Sequence, residues 1–300
     1  MSDRRPVRLV DAFAEEPMAG NPAGVVTDAG DLTDDQMAAI AGELGASETA
    51  FVRPSESADY RLRYFSPERE VDLCGHATVA ALDVLHETGK LAVGEHAVET
   101  NVGVLDVEIG EEGTVWLTQS PPEIREVDLS FERLADALGV DVAALSEVGE
   151  ELPVARASTG FPFLVVPVGY FEQLSAVEPD RGAIEALCEE VDAEGLYAFT
   201  FDTLESAATA HGRAFAPLAG IPEDPVTGTG CGAVAAYLRF QGALDAEDPL
   251  VFEQGHFLDR PGRVLVRTDG AAPTVGGRAA TALEGELSVP DSDEDDIIEA

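Results

Sequence analysis

Residues 73–85 read Leu73-Cys74-Gly75-His76-Ala77-Thr78-Val79-Ala80-Ala81-Leu82-Asp83-Val84-Leu85, and a second stretch answers it: Thr227-Gly228-Thr229-Gly230-Cys231-Gly232-Ala233-Val234-Ala235-Ala236-Tyr237-Leu238. Each sets a glycine-bearing turn at the head of an apolar helix. Ala77, Ala80, Ala81, Leu82 and Leu85 line the buried side of the first, and Ala233, Ala235, Ala236, Tyr237 and Leu238 continue the second. The leading glycines, Gly75 and Gly228, stand 153 residues apart.

Outward from these helices the same order recurs. Gly20-Asn-Pro-Ala-Gly-Val-Val26 matches Gly160-Phe-Pro-Phe-Leu-Val-Val166 at an offset of 140. Ala50-Phe51-Val52 matches Ala198-Phe199-Thr200 at 148, and Tyr64-Phe-Ser-Pro67 matches Ala214-Phe-Ala-Pro217 at 150. Matches in one order with a slowly drifting offset argue for a duplicated pair of α+β halves. The expected division is 1–118, completed by the C-terminal segment 280–300, and 119–279. A duplicated pair has a cleft between its halves, a favoured place for a small-ligand site. Within the first half, strands are expected over Pro6–Phe13, Gly24–Thr27, Thr49–Arg53 and Tyr60–Phe65. Helices are expected over Leu32–Leu44, opened by Thr33-Asp34-Asp35 and closed at Gly45, and from Gly75 to about Glu87. His96–Ile109 and Thr114–Thr118 read as one hairpin around Gly110–Gly113.

Composition bounds what the chain does. Its 300 residues are 45% hydrophobic, enough to bury a core. Against 58 Asp and Glu stand 18 Lys and Arg, a net charge of −40, and Lys90 is the one lysine. Nucleic acid and anionic membrane surfaces are thereby excluded as partners, since both need basic patches. The acids run throughout, from Glu15-Glu16 through Glu111-Glu112 and Glu189-Glu190 to a denser run at Asp291 to Glu299. Such a surface repels itself in dilute buffer and is screened only in strong salt, where the Debye length is about 3 Å at 1 M. The excess is larger than solubility asks for and predicts a halophilic protein that works in molar salt.

Three cysteines, Cys74, Cys188 and Cys231, show no repeated spacing, so a disulfide framework is not expected. The residues after Met1 carry no apolar signal region and no stretch approaches the ~18 apolar residues of a membrane span; the expected compartment is the cytoplasm. Cys74 and His76 are separated by one residue, without a matching pair elsewhere, so no metal is expected.

The chemistry-bearing candidates gather near the two glycine turns. A helix N-terminus leaves main-chain N–H groups unpaired and carries roughly half a positive charge, so two such ends suit a carboxylate. Glycines there also serve tight packing, but their recurrence in both halves beside Cys, His and Thr favours the ligand-binding reading. Glu48, in Ala46-Ser47-Glu48-Thr49-Ala50, opens an apolar strand, and the offset of 148 sets Leu196 opposite it, so the fold does not demand an acid there. A carboxyl in a partly desolvated cleft is pushed toward pKa values of about 6–7, where it both takes and gives protons. Asp224 precedes the second turn by four residues; it reads either as a turn residue before Pro225 or, with Glu48, His76 and Thr229, as part of a catalytic set.

Gly20-Asn-Pro-Ala-Gly-Val, Ser47-Glu-Thr-Ala-Phe-Val, Arg63-Tyr-Phe-Ser-Pro67, Leu73-Cys-Gly-His-Ala-Thr78, Gly160-Phe-Pro, Glu223-Asp-Pro-Val-Thr-Gly228 and Glu253-Gln-Gly255 through Arg260-Pro-Gly262 together resemble the phenazine-biosynthesis, PhzF-like family. The resemblance spans about residues 8 to 268. It implies a fold similar to diaminopimelate epimerase: two pseudo-symmetric halves, each a sheet curled around a central helix, with the active site between them. It further implies a cofactor-independent isomerase that moves a proton between carbons of a small amino- or hydroxy-carboxylic acid. On that resemblance Glu48, His76 and Asp224 are the catalytic residues, and Asn21, Gly75, Thr227, Gly228 and Thr229 bind substrate. Thr229 stands where the family usually has serine, keeping the hydroxyl and adding a methyl. In racemase relatives two cysteines face each other; Cys74 holds the first place here and Thr227 the second. Homodimers are common for the fold. Two rivals are a racemase or epimerase assisted by the Cys74 thiol and a non-catalytic binding protein that has kept the cleft.

Overall fold

A computed structural model describes residues 4–149, 152–244 and 249–290. The acidic run from Asp291 to Glu299 lies outside the described residues. The chain divides into two compact units, Met1–Leu117 with Arg278–Ala300, and Thr118–Gly277.

In the N-terminal unit the strands follow one another across the sheet as Ala279–Ser288, Arg4–Ala12, Asn21–Val26, Thr49–Arg53, Tyr60–Phe65, Gly94–Thr100, Gly103–Ile109 and Val115–Thr118. The successive pairings are antiparallel, antiparallel, parallel, antiparallel, parallel, antiparallel and antiparallel. In the C-terminal unit the order is Glu123–Glu126, Ala155–Ser158, Pro162–Pro167, Gly195–Thr200, Ala210–Ala216, Leu250–Gln254, Gly262–Arg267 and Thr274–Gly277. Its pairings run in the same seven senses. The duplication read from scattered motifs is therefore a strand-for-strand repeat of α+β topology.

Each sheet wraps a central helix. Gly75–Glu87 packs against Arg4–Ala12, Asn21–Val26, Thr49–Arg53 and Ala279–Ser288, and residues 77 through 85 are buried without a break. Gly228–Phe240 packs against Ala155–Ser158, Pro162–Pro167, Gly262–Arg267 and Thr274–Gly277, with residues 230 through 238 buried. A helix buried on all sides needs small apolar residues all round, which accounts for the alanine-rich runs. A second helix covers the other face of each sheet. In the N-terminal unit it is Asp34–Leu44, where Thr33 accepts from the Gln36 main-chain N–H and Gly45, at φ 67°, closes the last turn. It buries Met37 and Ile40 against Val7, Val26, Phe51 and Phe65. The C-terminal unit covers the same face with more: Phe131–Leu138, Ala143–Gly149, Phe171–Ser175 and Arg181–Val191, none of which the sequence reading identified.

The structure corrects two readings. The stretch 96–109 is not one strand: it breaks at Asn101-Val102, with Gly103 at φ 122°, into the hairpin Gly94–Thr100 and Gly103–Ile109. The partner of Glu48 in the repeat is Gly195, not Leu196. Thr49 pairs with Gly24 and Phe65, while Leu196 pairs with Leu164 and Phe215, so Thr49 and Leu196 are the equivalents. The repeated fold holds a glycine where Glu48 stands, which leaves the acid without a structural reason.

Candidate active site

In the N-terminal unit, Glu48 immediately precedes the strand Thr49–Arg53, and its carbonyl is fixed by the Gly24 N–H at 2.9 Å. The strand thereby delivers the Glu48 side chain to the head of the central helix. Cys74 caps that helix without a side-chain hydrogen bond, and the first turn carries no acid. The main-chain donors there are thus not satisfied by a capping side chain, unlike those behind Thr33, Ser130 and Asp180. His76 Nε2 lies 3.4 Å from Glu48 Oε2, with the two side chains 13% and 16% exposed. Cys74, buried, sets its Sγ 3.7 Å from the same Glu48 oxygen and 3.4 Å from His76 Nδ1. Ser47 Oγ is 3.3 Å from His76 Nε2.

Beneath this group Thr78 Oγ1 donates to the Cys74 carbonyl at 2.7 Å and lies 2.7 Å from the Tyr64 hydroxyl. Burial pushes the Tyr64 pKa up, so the phenol stays neutral and fixes the first turn. A Cβ on Gly75 would meet open space. Packing therefore does not require that glycine, whereas it leaves the Gly75 N–H open to close approach.

The C-terminal unit builds a different group on the equivalent turn. Thr227 Oγ1 donates to Asp224 Oδ2 at 2.6 Å. Gln254, 1% exposed, locks the turn: its Nε2 donates to the Asp224 carbonyl at 2.8 Å and to Thr227 Oγ1 at 3.0 Å, and its Oε1 accepts the Thr227 N–H at 3.1 Å. The Tyr197 hydroxyl donates to the same Oε1 at 3.1 Å and sits 3.2 Å from Cys231 Sγ. Here glycine is a packing requirement. A Cβ on Gly230 would fall 2.5 Å from the Tyr197 ring, and one on Gly212 2.3 Å from its hydroxyl. Burial pushes the Cys231 thiol up to about 12, which makes it a neutral hydrogen-bonding group rather than a nucleophile.

Glu48, Gly75 and His76 thus come together in one unit, and Asp224, Thr227, Gly228 and Thr229 in the other. Gly228 opens the helix, and the Thr229 carbonyl accepts from Thr159 Oγ1 at 3.3 Å. Asn21 begins the strand Asn21–Val26, where it pairs with Ala12 and is 2% exposed. Four neighbours went unassigned in the sequence. Ser47, Gln254 and Cys231 lie inside quoted motifs, so a signal was present; Tyr197 is brought in by packing alone. As for metal ligands, the sequence offered only Cys74 and His76, but Glu48, just before the strand Thr49–Arg53, supplies a third donor. Among the described residues the ligand atoms of Glu48, Cys74 and His76 all lie within 4.8 Å of one another.

This arrangement sits in a chain whose residues 10–285 match the PhzC-PhzF family, the phenazine biosynthesis-like proteins. The chain belongs to that family. It is 37% identical over 280 residues to the uncharacterized isomerase YfhB of Bacillus subtilis, covering 92% of this chain and 93% of that one. It is 30% identical over 287 residues to the trans-2,3-dihydro-3-hydroxyanthranilate isomerase of Pseudomonas aeruginosa, covering 92% and 97%. The crystal structure of a Bacillus anthracis phenazine biosynthesis protein of the PhzF family is similar with a TM-score of 0.87 at 35% identity, over 95% of this chain and 99% of that one. The phenazine biosynthesis-like family is one of isomerases, and this chain is an enzyme of that class. No helix among the described residues is long and apolar enough to cross a membrane.

Proposed function

We propose that this enzyme moves a proton between carbons of a small amino- or hydroxy-substituted carboxylic acid, with the Glu48 carboxylate as the shuttle. The observation that carries this reading is the 3.4 Å approach of His76 Nε2 to Glu48 Oε2 at a helix head whose N-cap, Cys74, makes no side-chain capping hydrogen bond. The substrate carboxylate is held by the main-chain N–H groups at that head, where Gly75 leaves room. Its charge there is favoured by the helix dipole, and the same positive end and N–H donors offset the further negative charge that builds up when a nearby carbon loses its proton. Glu48 takes the proton from one carbon, electron density moves along the conjugated system, and the same carboxyl returns the proton to another carbon. His76 orients Glu48 and donates to the developing negative charge. On the family resemblance Asp224 is assigned a catalytic role as well, and Asn21, Thr227, Gly228 and Thr229 a part in substrate binding. The chemistry needs no electron transfer and no group carrier. The Pseudomonas relative, by its name, acts on an acid of this kind.

General acid–base catalysis of this type is worth about 10²–10⁴-fold, roughly 3–5 kcal/mol of barrier. The test is turnover of a panel of small amino- and hydroxy-carboxylic acids in D₂O, read by mass spectrometry for one added mass unit. The wild type incorporates deuterium into at least one of them, and Glu48→Gln loses about 10²-fold or more of that rate. Near-normal incorporation by Glu48→Gln removes Glu48 from the mechanism. Absence of exchange with every acid, in folded protein, turns the reading to ligand binding without turnover.

A further inference from the structure

The donor atoms beside the Gly75–Glu87 helix also match the edges of a metal tetrahedron. With Zn–N and Zn–O bonds of about 2.0–2.1 Å and a Zn–S bond of about 2.3 Å, tetrahedral angles set N···O edges near 3.4 Å and edges to sulfur near 3.6 Å. Here Nε2 of His76 stands 3.4 Å from Oε2 of Glu48, Sγ of Cys74 3.7 Å from that oxygen, and Sγ 3.9 Å from that nitrogen. The three edges lie within a few tenths of an ångström of the required figure; Sγ is nearer still to Nδ1, at 3.4 Å, so the half-buried imidazole has to turn to aim its Nε2 lone pair between the other two donors. We propose that Glu48, Cys74 and His76 form a three-ligand site for a thiophilic divalent cation, Zn²⁺ above all, with an open fourth position, and that its occupancy switches the enzyme off.

The ligand set selects the ion. Thiolate and imidazole suit Zn²⁺ and Co²⁺, whereas Mg²⁺ and Ca²⁺ want six or more oxygens, and this cluster offers one carboxylate. Binding breaks the Cys74 S–H bond as the S–metal bond forms, and the proton leaves to solvent. With Cys74 as thiolate and Glu48 as carboxylate the trio carries two negative charges, which balance the cation and outweigh the positive helix end. Inhibition follows because the metal occupies the oxygen that would accept the substrate proton. That consequence rests on Glu48 being the shuttle; the binding does not.

The probe is Co²⁺, then Zn²⁺, titrated into chelator-treated protein in potassium nitrate, because chloride competes for these ions. The expected result is one equivalent bound, one proton released, a visible spectrum of tetrahedral Co²⁺ with a thiolate charge-transfer band, and displacement of Co²⁺ by Zn²⁺. Millimolar Mg²⁺ leaves the spectrum unchanged. Cys74→Ser loses the band and weakens binding by roughly 100-fold or more, beyond the 10–100-fold loss that removal of an outer-shell partner brings. If Cys74→Ser does not fold, persistence of the band in the double variant Cys188→Ala, Cys231→Ala assigns it to Cys74, the one cysteine left. Binding no tighter than millimolar, or a band that survives in folded Cys74→Ser, overturns the site. Tight Zn²⁺ binding with deuterium exchange intact overturns the inhibition. Failure of the shuttle reading shows separately, as exchange that survives in Glu48→Gln while wild-type Co²⁺ binding stands.

Discussion

The side-chain nitrogen of Gln254 donates to the main-chain carbonyl of Asp224 at 2.8 Å, and through that bond a residue of the strand Leu250–Gln254 sets the turn that opens the second central helix. All four hydrogen-bonding positions of Gln254 are occupied, by Asp224, by Thr227 twice and by Tyr197. Gln254→Glu keeps the shape and both acceptors but turns the two donors into an acceptor aimed at a carbonyl and a hydroxyl. A buried polar group left facing the wrong partners costs about 1–3 kcal/mol. Urea unfolding is expected to show a loss of that size, with a raised KM from a displaced Asp224–Thr227 pair. Unchanged stability and KM would remove Gln254 from the support of this turn.

Cys74 touches both Glu48 and His76, so the thiol-assisted rival has a geometric basis that the sequence did not offer. The two mechanisms part on one variant. If the carboxylate carries the proton, Cys74→Ser keeps the deuterium exchange rate within about tenfold, a change of barrier near 1.4 kcal/mol. Iodoacetamide then inactivates slowly, since the sulfur is buried. A loss in Cys74→Ser as large as that of Glu48→Gln would transfer the role to sulfur.

The fold was legible because the central helices and the strands beside them repeat short apolar and glycine motifs, and Thr49–Arg53, Tyr60–Phe65 and Gly75–Glu87 were read with the bounds they have. The helices over Phe131–Leu138 and Arg181–Val191 were not, because the first half contains one helix at that place and gives no template for more. Ser47, Glu48, Cys74 and His76 could be seen as neighbours in two motifs. Their mutual distances could not, because these depend on the register that pairs Gly24 with Thr49. Tyr197 illustrates the limit further: its place is made by Gly212 and Gly230, residues 15 and 33 positions away, whose missing side chains do not show in the sequence which ring fills the space. Pairing also moved the partner of Glu48 by one residue, to Gly195, a slip that offset counting in short apolar strands cannot detect.

Asp83 lies on the buried stretch of the first central helix, 6% exposed, and its Oδ2 lacks a partner among the described residues. Burial, with Glu87 adding repulsion, pushes its carboxyl up to about 7. The folded state therefore keeps a proton between about pH 4 and 7 that the unfolded chain, with an Asp value near 3.9, has lost. Stability from this group is full below about pH 4, falls as pH rises through that window, and is flat above about 7. Asp83→Asn mimics the protonated acid and removes the dependence. Thermal melts are expected to show the variant more stable than the wild type at pH 8, by roughly 4 kcal/mol at most, and the gap closing toward pH 4. A gap that stays constant with pH would mean Asp83 is not the group responsible.

The charge of −40 is not neutralised by the pairs the fold makes. Arg63 is held by Asp34 and Glu70, Arg213 by Glu223, and Arg133 by Glu190. Even if every one of the 18 basic residues held one acid, 40 of the 58 would stay unmatched. Added salt acts on both populations. It weakens the exposed pairs, worth about 0–1 kcal/mol each, and it weakens the repulsion among the unmatched acids, which are more numerous. The repulsive part dominates, so the melting temperature is expected to rise as KCl goes from 0.1 to about 3 M, most steeply below about 1 M, where the Debye length contracts from about 10 to 3 Å. The same screening lowers the long-range repulsion of an anionic substrate, so KM falls over that range while the chemical step at Glu48 changes little. A melting temperature that is flat or falls with KCl would show that the acidic surface is not an adaptation to salt.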